Sequence, residues 1–298
     1  VTTGAQEGLF LAMLALVNPD DGVLIPDPRY SSYDQAIEAA GGRIVEVPTD
    51  AAHDFRLDAD RLRSVIDQGA VLVFVNPNNP TGSLVSQAGV QAIAAVAREA
   101  GVAVISDEIY ESLTFDGQGV QSVMAIDGMR RSTVTLSGFS KTYAMTGFRV
   151  GYLIGPPSFI EAAARIKAAV SGPCPLVSQA VALAALSGSQ APVRALHAVF
   201  DGRRRLMMHG LHRLGVPYSL PGGGFYIWAD VSGFGLPAPA FCRRLLVEQR
   251  VLMFPGSAFG EKWSGFVRLS LLQPEARLAE AIDRIERFLN TLRTERQA

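Results

Sequence analysis

Lysine is nearly absent from this sequence. Of 27 basic residues only Lys141, Lys167 and Lys262 carry a primary amine, so any chemistry that needs one has three candidates. Cysteine is as scarce. Cys174 and Cys242 cannot build a disulfide framework, which points to a reducing, cytoplasmic setting. Neither charge is in excess, since 27 basic against 28 acidic residues leave a formal charge of -1. That balance offers no bulk attraction to nucleic acid or to an anionic membrane surface. Long apolar runs are missing too. The charge-free stretch from Gln68 to Ala97 is broken by Asn76-Pro-Asn-Asn-Pro-Thr-Gly82, and the one from Ala168 to Val193 by Gly172, Pro173 and Pro175. Neither supplies the roughly 20 continuous apolar residues of a membrane span. No basic, apolar leader opens the chain. The chain does start at Val1 and enters a helical pattern almost at once, as a fragment of a longer chain does.

What is present is a sizeable apolar fraction, 48% of 298 residues, enough for about two domains. Short Val/Ile/Leu runs alternate with longer amphipathic stretches. Strands are expected at Val23–Ile25, Arg43–Val47, Val71–Val75, Val102–Ile105, Val134–Leu136 and Gly151–Ile154. Three of these are almost wholly apolar, the mark of strands buried on both faces of a parallel sheet. Helices are expected at Ala5–Val17, Ser31–Ala40, Asp58–Asp67 and Ser86–Ala100, with Asp58 and Ser86 as N-caps. The alternation predicts an α/β fold: a three-layer α/β/α domain around a mainly parallel sheet. After about residue 190 the rhythm changes. Helical patterns at Val193–Leu214, Ala238–Arg250 and Pro274–Arg293 surround short strands near Phe225–Trp228 and Phe266–Leu271. This predicts a large domain over 1–190 and a smaller α+β domain over 191–298.

In open α/β sheets ligands bind beyond the C-terminal strand ends. Here those ends run into Asn76–Gly82, Ser106-Asp-Glu-Ile-Tyr110 and Ser137-Gly-Phe-Ser-Lys141. Asn79, Asp107 and Lys141 are each about one βα unit apart, so adjacent strands can bring all three to one crevice. A lysine near its free pKa of about 10.4 is a poor nucleophile, and desolvation plus a nearby arginine such as Arg149 would lower it. Lys167, on an amphipathic helix, and Lys262, beside Glu261, read instead as solvated lysines. Asp107 is either a turn residue or a buried carboxylate that needs a permanent cationic partner. Thr2-Thr-Gly-Ala-Gln-Glu7 opens a helix whose N–H groups at Gly4, Ala5 and Gln6 can hold a phosphate. Tyr30 either stacks on a planar ring or simply packs. Arg268, inside the strand Phe266–Leu271, points outward or grips a carboxylate in bidentate fashion. Gly222-Gly-Gly224 lacks the setting of a dinucleotide loop and reads as a tight turn. His209 and His212 could share a helix face, but no Cys or acid completes a metal set, so they read as a surface pair.

Taken together, these residues resemble the class I/II pyridoxal-phosphate aminotransferases, the aspartate aminotransferase-like group of fold type I. Gly138-Phe-Ser-Lys141-Thr-Tyr-Ala-Met-Thr-Gly-Phe-Arg149-Val-Gly151 fits the family's lysine signature at every constrained position. Asn76–Gly82, Asp107-x-x-Tyr110, Pro26–Tyr33 and the late Arg268 match in order and spacing across the whole chain.

The resemblance implies a role for each position. Lys141 would form a Schiff base with pyridoxal 5'-phosphate and carry the proton between substrate Cα and cofactor. Asp107 would keep the pyridine nitrogen protonated, so the ring acts as electron sink. Asn79 and Tyr110 would bond the ring's phenolic oxygen, and Tyr30 would stack on the ring. Gly4, Ala5, Gln6, Ser140 and Arg149 would hold the phosphate, and Arg268, with Asn79 beside it, the substrate α-carboxylate. Two departures stand out. Relatives carry a further N-terminal segment that contributes to the small domain and the site, and Gly138 stands where many have Ser or Thr. The expected activity is amino-group exchange between an L-amino acid and a 2-oxo acid by a cytoplasmic homodimer, with no nucleic-acid, membrane or metal partner. Two other readings stay open: a carbon–sulfur β-lyase using the same cofactor, and the effector-sensing part of a transcription regulator.

Overall fold

In the computed structural model, which describes residues 1–297, Val/Ile/Leu runs form a six-stranded sheet. The chain opens with α1 (Ala5–Leu16), followed by β1 (Gly22–Asp27), α2 (Ser32–Ala39), β2 (Arg43–Pro48), α3 (Ala59–Arg63) and β3 (Val71–Val75). Next come α4 (Gln87–Glu99), β4 (Ala103–Asp107), β5 (Thr133–Gly138), α5 (Phe139–Thr142) and β6 (Gly151–Ile154). The spatial order is β2-β1-β3-β4-β5-β6, parallel except that β6 runs against β5. β1, β3 and β5 are buried along their whole length. β1 and β3 have apolar layers on both faces, whereas β5 turns Val134 and Leu136 to one layer and buried Thr133, Thr135 and Ser137 to the other face. That is why Val23–Ile25 and Val71–Val75 read as unbroken apolar runs rather than alternating ones.

After β6, α6 (Pro157–Val170) packs beside α1 in the apolar layer over the sheet, and α7 (Leu176–Ser187) and α8 (Ala191–Leu214) follow. Beyond it, β7 (Tyr226–Asp230), α9 (Ala238–Gln249), β8 (Phe254–Pro255) and β9 (Phe266–Ser270) precede the last helix, α10 (Glu275–Gln297). β7, β9 and β8 form an antiparallel sheet in that order. Its core, with Phe241, Leu245 and Phe288, reaches back to Tyr110 and Leu113 beside the larger sheet.

Most expected elements are found, and the caps behave as expected. The Asp58 carboxylate accepts from Arg61 N–H at 2.8 Å, and Ser86 Oγ from Gly89 N–H at 3.2 Å. Three details differ. The helix expected over Asp58–Asp67 ends at Arg63, where β-branched Val65 and Ile66 disfavour its continuation and the chain turns to enter β3. α7 arises from a stretch with no polar side to reveal its period. β8 is only two residues long.

The N-terminal end of α1 lies against the sheet's last strand pair. Thr2 and Gly151 exchange both backbone hydrogen bonds, at 2.8 and 2.9 Å. A Cβ on Gly151 would lie 2.7 Å from Ala5 N and from Gly4 C, so only glycine allows this approach. The helix thereby starts beside the C-terminal end of β5.

Candidate active site

Strand register gathers the polar residues. Asp107, the last residue of β4, sits level with Val75 of β3 and Leu136 of β5. The loop after β3 and helix α5 after β5 carry Asn79 and Lys141 to the same end of the sheet. A cavity of about 340 Å³ opens there. Ala5, Gln6, Tyr30, Asn79, Asp107, Tyr110, Ser140, Lys141, Arg149 and Arg268 all line it. Gly4 is the one expected site residue not on its wall, and it lies directly behind. A Cβ there would stand 2.3 Å from Arg149 Nη2.

The floor is a buried carboxylate. Asp107 Oδ2 accepts the Tyr33 phenol at 2.7 Å, and Oδ1 accepts Ile109 N–H at 3.0 Å. Burial pushes the Asp107 carboxyl up to about 6 despite these donors and the attraction of Lys141. No cation bonds it directly among the described residues, so its surroundings suit a ligand that brings a protonated ring nitrogen.

Lys141 lies in α5, with Nζ 5.2 Å from the centre of the Phe225 ring. Desolvation lowers the pKa of the amine, the charges of Arg149 and Arg268 lower it further, and Asp107 opposes them. The other two lysines are engaged: Lys167 pairs with Glu7 at 2.7 Å and Lys262 with Asp27 at 2.6 Å. The expectation of two solvated lysines is therefore corrected. Each sits where a carboxylate packed beneath it needs a partner. Lys141 is the amine left for chemistry.

At one end of the cavity the first N–H groups of α1, the Ser140 side chain and Arg149 form a cradle for an anion. Arg149 takes a left-handed backbone conformation, φ 50°, and Nη1 donates to the Thr146 carbonyl at 2.9 Å. Gly138 packs close to the next strand: a Cβ there would be 3.1 Å from Gly151 Cα, tight enough that the neighbour would have to give by a few tenths of an ångström. Tyr30 borders the cavity and meets Tyr33 edge to face at 6.2 Å.

At the other end Arg268 points into the cavity rather than outward. Its Nη1 donates to Asn79 Oδ1 at 2.8 Å, and the guanidinium lies over Tyr226 at 4.1 Å and Phe259 at 4.5 Å. Burial lowers its pKa, and the charges of Tyr226, Tyr110 and Tyr30 oppose the shift. Its Nε is buried with no acceptor, which leaves the fork ready for an anionic ligand. The cavity thus brings together an anion cradle, an amine with a lowered pKa, a buried carboxylate and a second anion fork. These are the fittings that a phosphorylated, cationic-ring aldehyde and an amino acid carboxylate require.

Three contributors went unassigned in the sequence. Tyr33 stands three residues beyond Tyr30, inside the Pro26–Tyr33 motif, and that spacing was its signal. Tyr226 and Thr146 carry none; Tyr226 reaches Arg268 only through the pairing of β7 with β9. The glycine turn is a tight turn as expected, with Gly223 pressed against Pro77 so that a Cβ would meet it at 2.3 Å. His209 and His212 are both exposed, and among the described residues no cluster could hold a metal.

Comparison with known proteins identifies a family and similar folds. The family model "Aminotransferase class I and II" matches residues 1–285. Aromatic-amino-acid aminotransferase 2 of Thermococcus litoralis is 35% identical over 97% of this chain and 75% of its own length. Aspartate aminotransferase of Pyrococcus abyssi is 36% identical with the same coverage of both chains. The crystal structure of an aromatic aminotransferase from Pyrococcus horikoshii superposes with a TM-score of 0.95 at 35% identity, covering 97% of this chain and 79% of that one.

Proposed function

This chain belongs to the class I and II aminotransferases and is a pyridoxal-phosphate-dependent transaminase, and we propose that Lys141, Asp107 and Arg268 are the residues that run the exchange. The substrates are an L-amino acid and a 2-oxo acid. When bound, pyridoxal phosphate supplies an aldehyde that captures the amino group and a ring that withdraws electrons from substrate Cα.

Each residue then has a task set by its position. Lys141 Nζ would take the proton from substrate Cα and return one, a role favoured by the burial and the neighbouring arginine charges that lower its pKa. Asp107 would hold a negative charge against the ring N–H of the bound cofactor. Its burial makes the ionised form costly without that partner and favourable with it. Asn79 and Tyr110 line the cavity where they would donate to the cofactor's phenolic oxygen, and Tyr30 would cover one ring face. Gly4, Ala5, Gln6, Ser140 and Arg149 would hold the phosphate. Arg268 binds the substrate carboxylate with Asn79 steadying the fork.

Residues 1–190 serve as the cofactor-binding domain and 191–298 as the small domain. The enzyme works as a homodimer. Leu176, Val177, Leu183 and Leu186 of α7 and Val170 of α6 are all more than half exposed, an apolar face suited to a second copy. A cytoplasmic location suits two buried, unpaired cysteines. The elimination and regulator readings are not favoured, because the named relatives are aminotransferases.

The observation that carries this reading is Lys141, Asp107 and Arg268 around one cavity. A panel of amino donors with 2-oxoglutarate or pyruvate as acceptor tests it. New amino acid should form only when the acceptor is present. Pyruvate and ammonia released from cysteine without an acceptor would point to elimination instead.

A further inference from the structure

We propose that Lys262 and Asp27 are positioning residues for the substrate carboxylate, clamping the loop ahead of Arg268 onto the turn that carries Tyr30; this rests on Arg268 being the carboxylate fork. Asp27 ends β1, is fully buried, and takes three donors: Arg29 Nη1 at 3.0 Å, Lys262 Nζ at 2.6 Å and Trp263 Nε1 at 2.8 Å. Lys262 also reaches Glu46 Oε2 at 3.1 Å. Arg29 closes the network to Glu46 Oε1 at 3.0 Å and Asp34 Oδ1 at 2.6 Å.

The backbone is drawn in as well. Arg29 N–H donates to the Phe259 carbonyl at 3.2 Å. Gly260 has φ 136°, and a Cβ there would sit 2.8 Å from Asp27 Oδ1, so the loop passes tight over the carboxylate. On the far side of this loop the Phe259 ring lies 4.5 Å from the Arg268 guanidinium. On the near side Arg29 adjoins Tyr30, at the cavity wall. The network therefore joins the first strand of the large sheet to the lead-in of β9 and sets the distance between ring site and carboxylate site. An apolar contact would hold the two together, but a directional charge network also fixes one register. A pre-set fork binds its carboxylate without a reordering cost.

The test is Lys262→Met in the cofactor-loaded enzyme, with Lys262→Arg and Arg268→Lys alongside. Lys262 is half exposed, so the methionine keeps the stem without burying a lone charge. The KM for the amino donor should rise about tenfold, with kcat and cofactor affinity within about twofold. Backbone amides of Phe259–Trp263 should exchange with deuterium faster, and Lys262→Arg should recover most of the KM. An unchanged KM in Lys262→Met while Arg268→Lys raises it overturns the clamp and spares the fork. An unchanged KM in Arg268→Lys overturns the fork and the clamp with it. A fall in cofactor affinity matching the rise in KM, or equal effects of Met and Arg at 262, also overturns the clamp.

Discussion

The Tyr33 phenol donates to Asp107 Oδ2 across 2.7 Å, and both side chains are almost wholly buried. A neutral donor thereby steadies a carboxylate that is otherwise costly to ionise. Before cofactor binds, the balance between these effects controls the protonation state of the cavity floor.

That balance gives a pH dependence with a definite sign. Burial raises the Asp107 carboxyl from 3.8 to about 6. An acid raised in the folded state favours folding while protonated. Its contribution is complete below about pH 4 and is lost as the pH rises through 6. Cofactor-free wild type should lose roughly 3 kcal/mol over that interval relative to Asp107→Asn, at 1.36 kcal/mol for each pH unit. Tyr33→Phe removes a donor that favours the charged form, so the loss should move to higher pH. Denaturant melts of the three proteins from pH 4 to pH 8 check this, and parallel wild-type and Asp107→Asn profiles would contradict it.

Arg268→Lys keeps the charge but loses the planar fork and its seat on Tyr226. Donor KM should rise about 10- to 100-fold, the equivalent of roughly 1.5–3 kcal/mol for a hydrogen bond to a charged group. Cofactor affinity should stay within about twofold. Steady-state kinetics and cofactor titration separate the two, and a loss confined to cofactor affinity would move Arg268 to a different role.

Gly151→Ala tests whether the start of α1 forms the phosphate cradle. Its methyl would meet backbone atoms of Gly4 and Ala5 at 2.7 Å, which cannot swing aside as a flexible side chain can. The variant should lose about 1–3 kcal/mol of stability. Its affinity for pyridoxal phosphate should fall more than its affinity for pyridoxal without the phosphate. Equal falls for both would place the phosphate elsewhere.

The parts of this molecule that could be read in the sequence are those fixed locally. β3 is buried on both faces and so is apolar throughout, and Asp58 and Ser86 declare their helices by the cap each makes. The site was legible because its residues fall at the ends of the sheet's strands. α7 was not, because its exposed side is also apolar and leaves no polar stripe. Long-range pairings were equally silent. Tyr226 under Arg268 depends on the register of β7 against β9, and Lys262 on Asp27 depends on the two sheets meeting. Nothing adjacent to Lys262 in the chain distinguishes it from a surface lysine.

The scarcity of lysine makes the central claim directly measurable. Borohydride reduction of the loaded enzyme fixes pyridoxal phosphate to whichever amine has condensed with it, and peptide mass mapping identifies the carrier. The cofactor mass should appear on the peptide holding Lys141 alone. Attachment at Lys167 or Lys262, or at no lysine, would contradict the account.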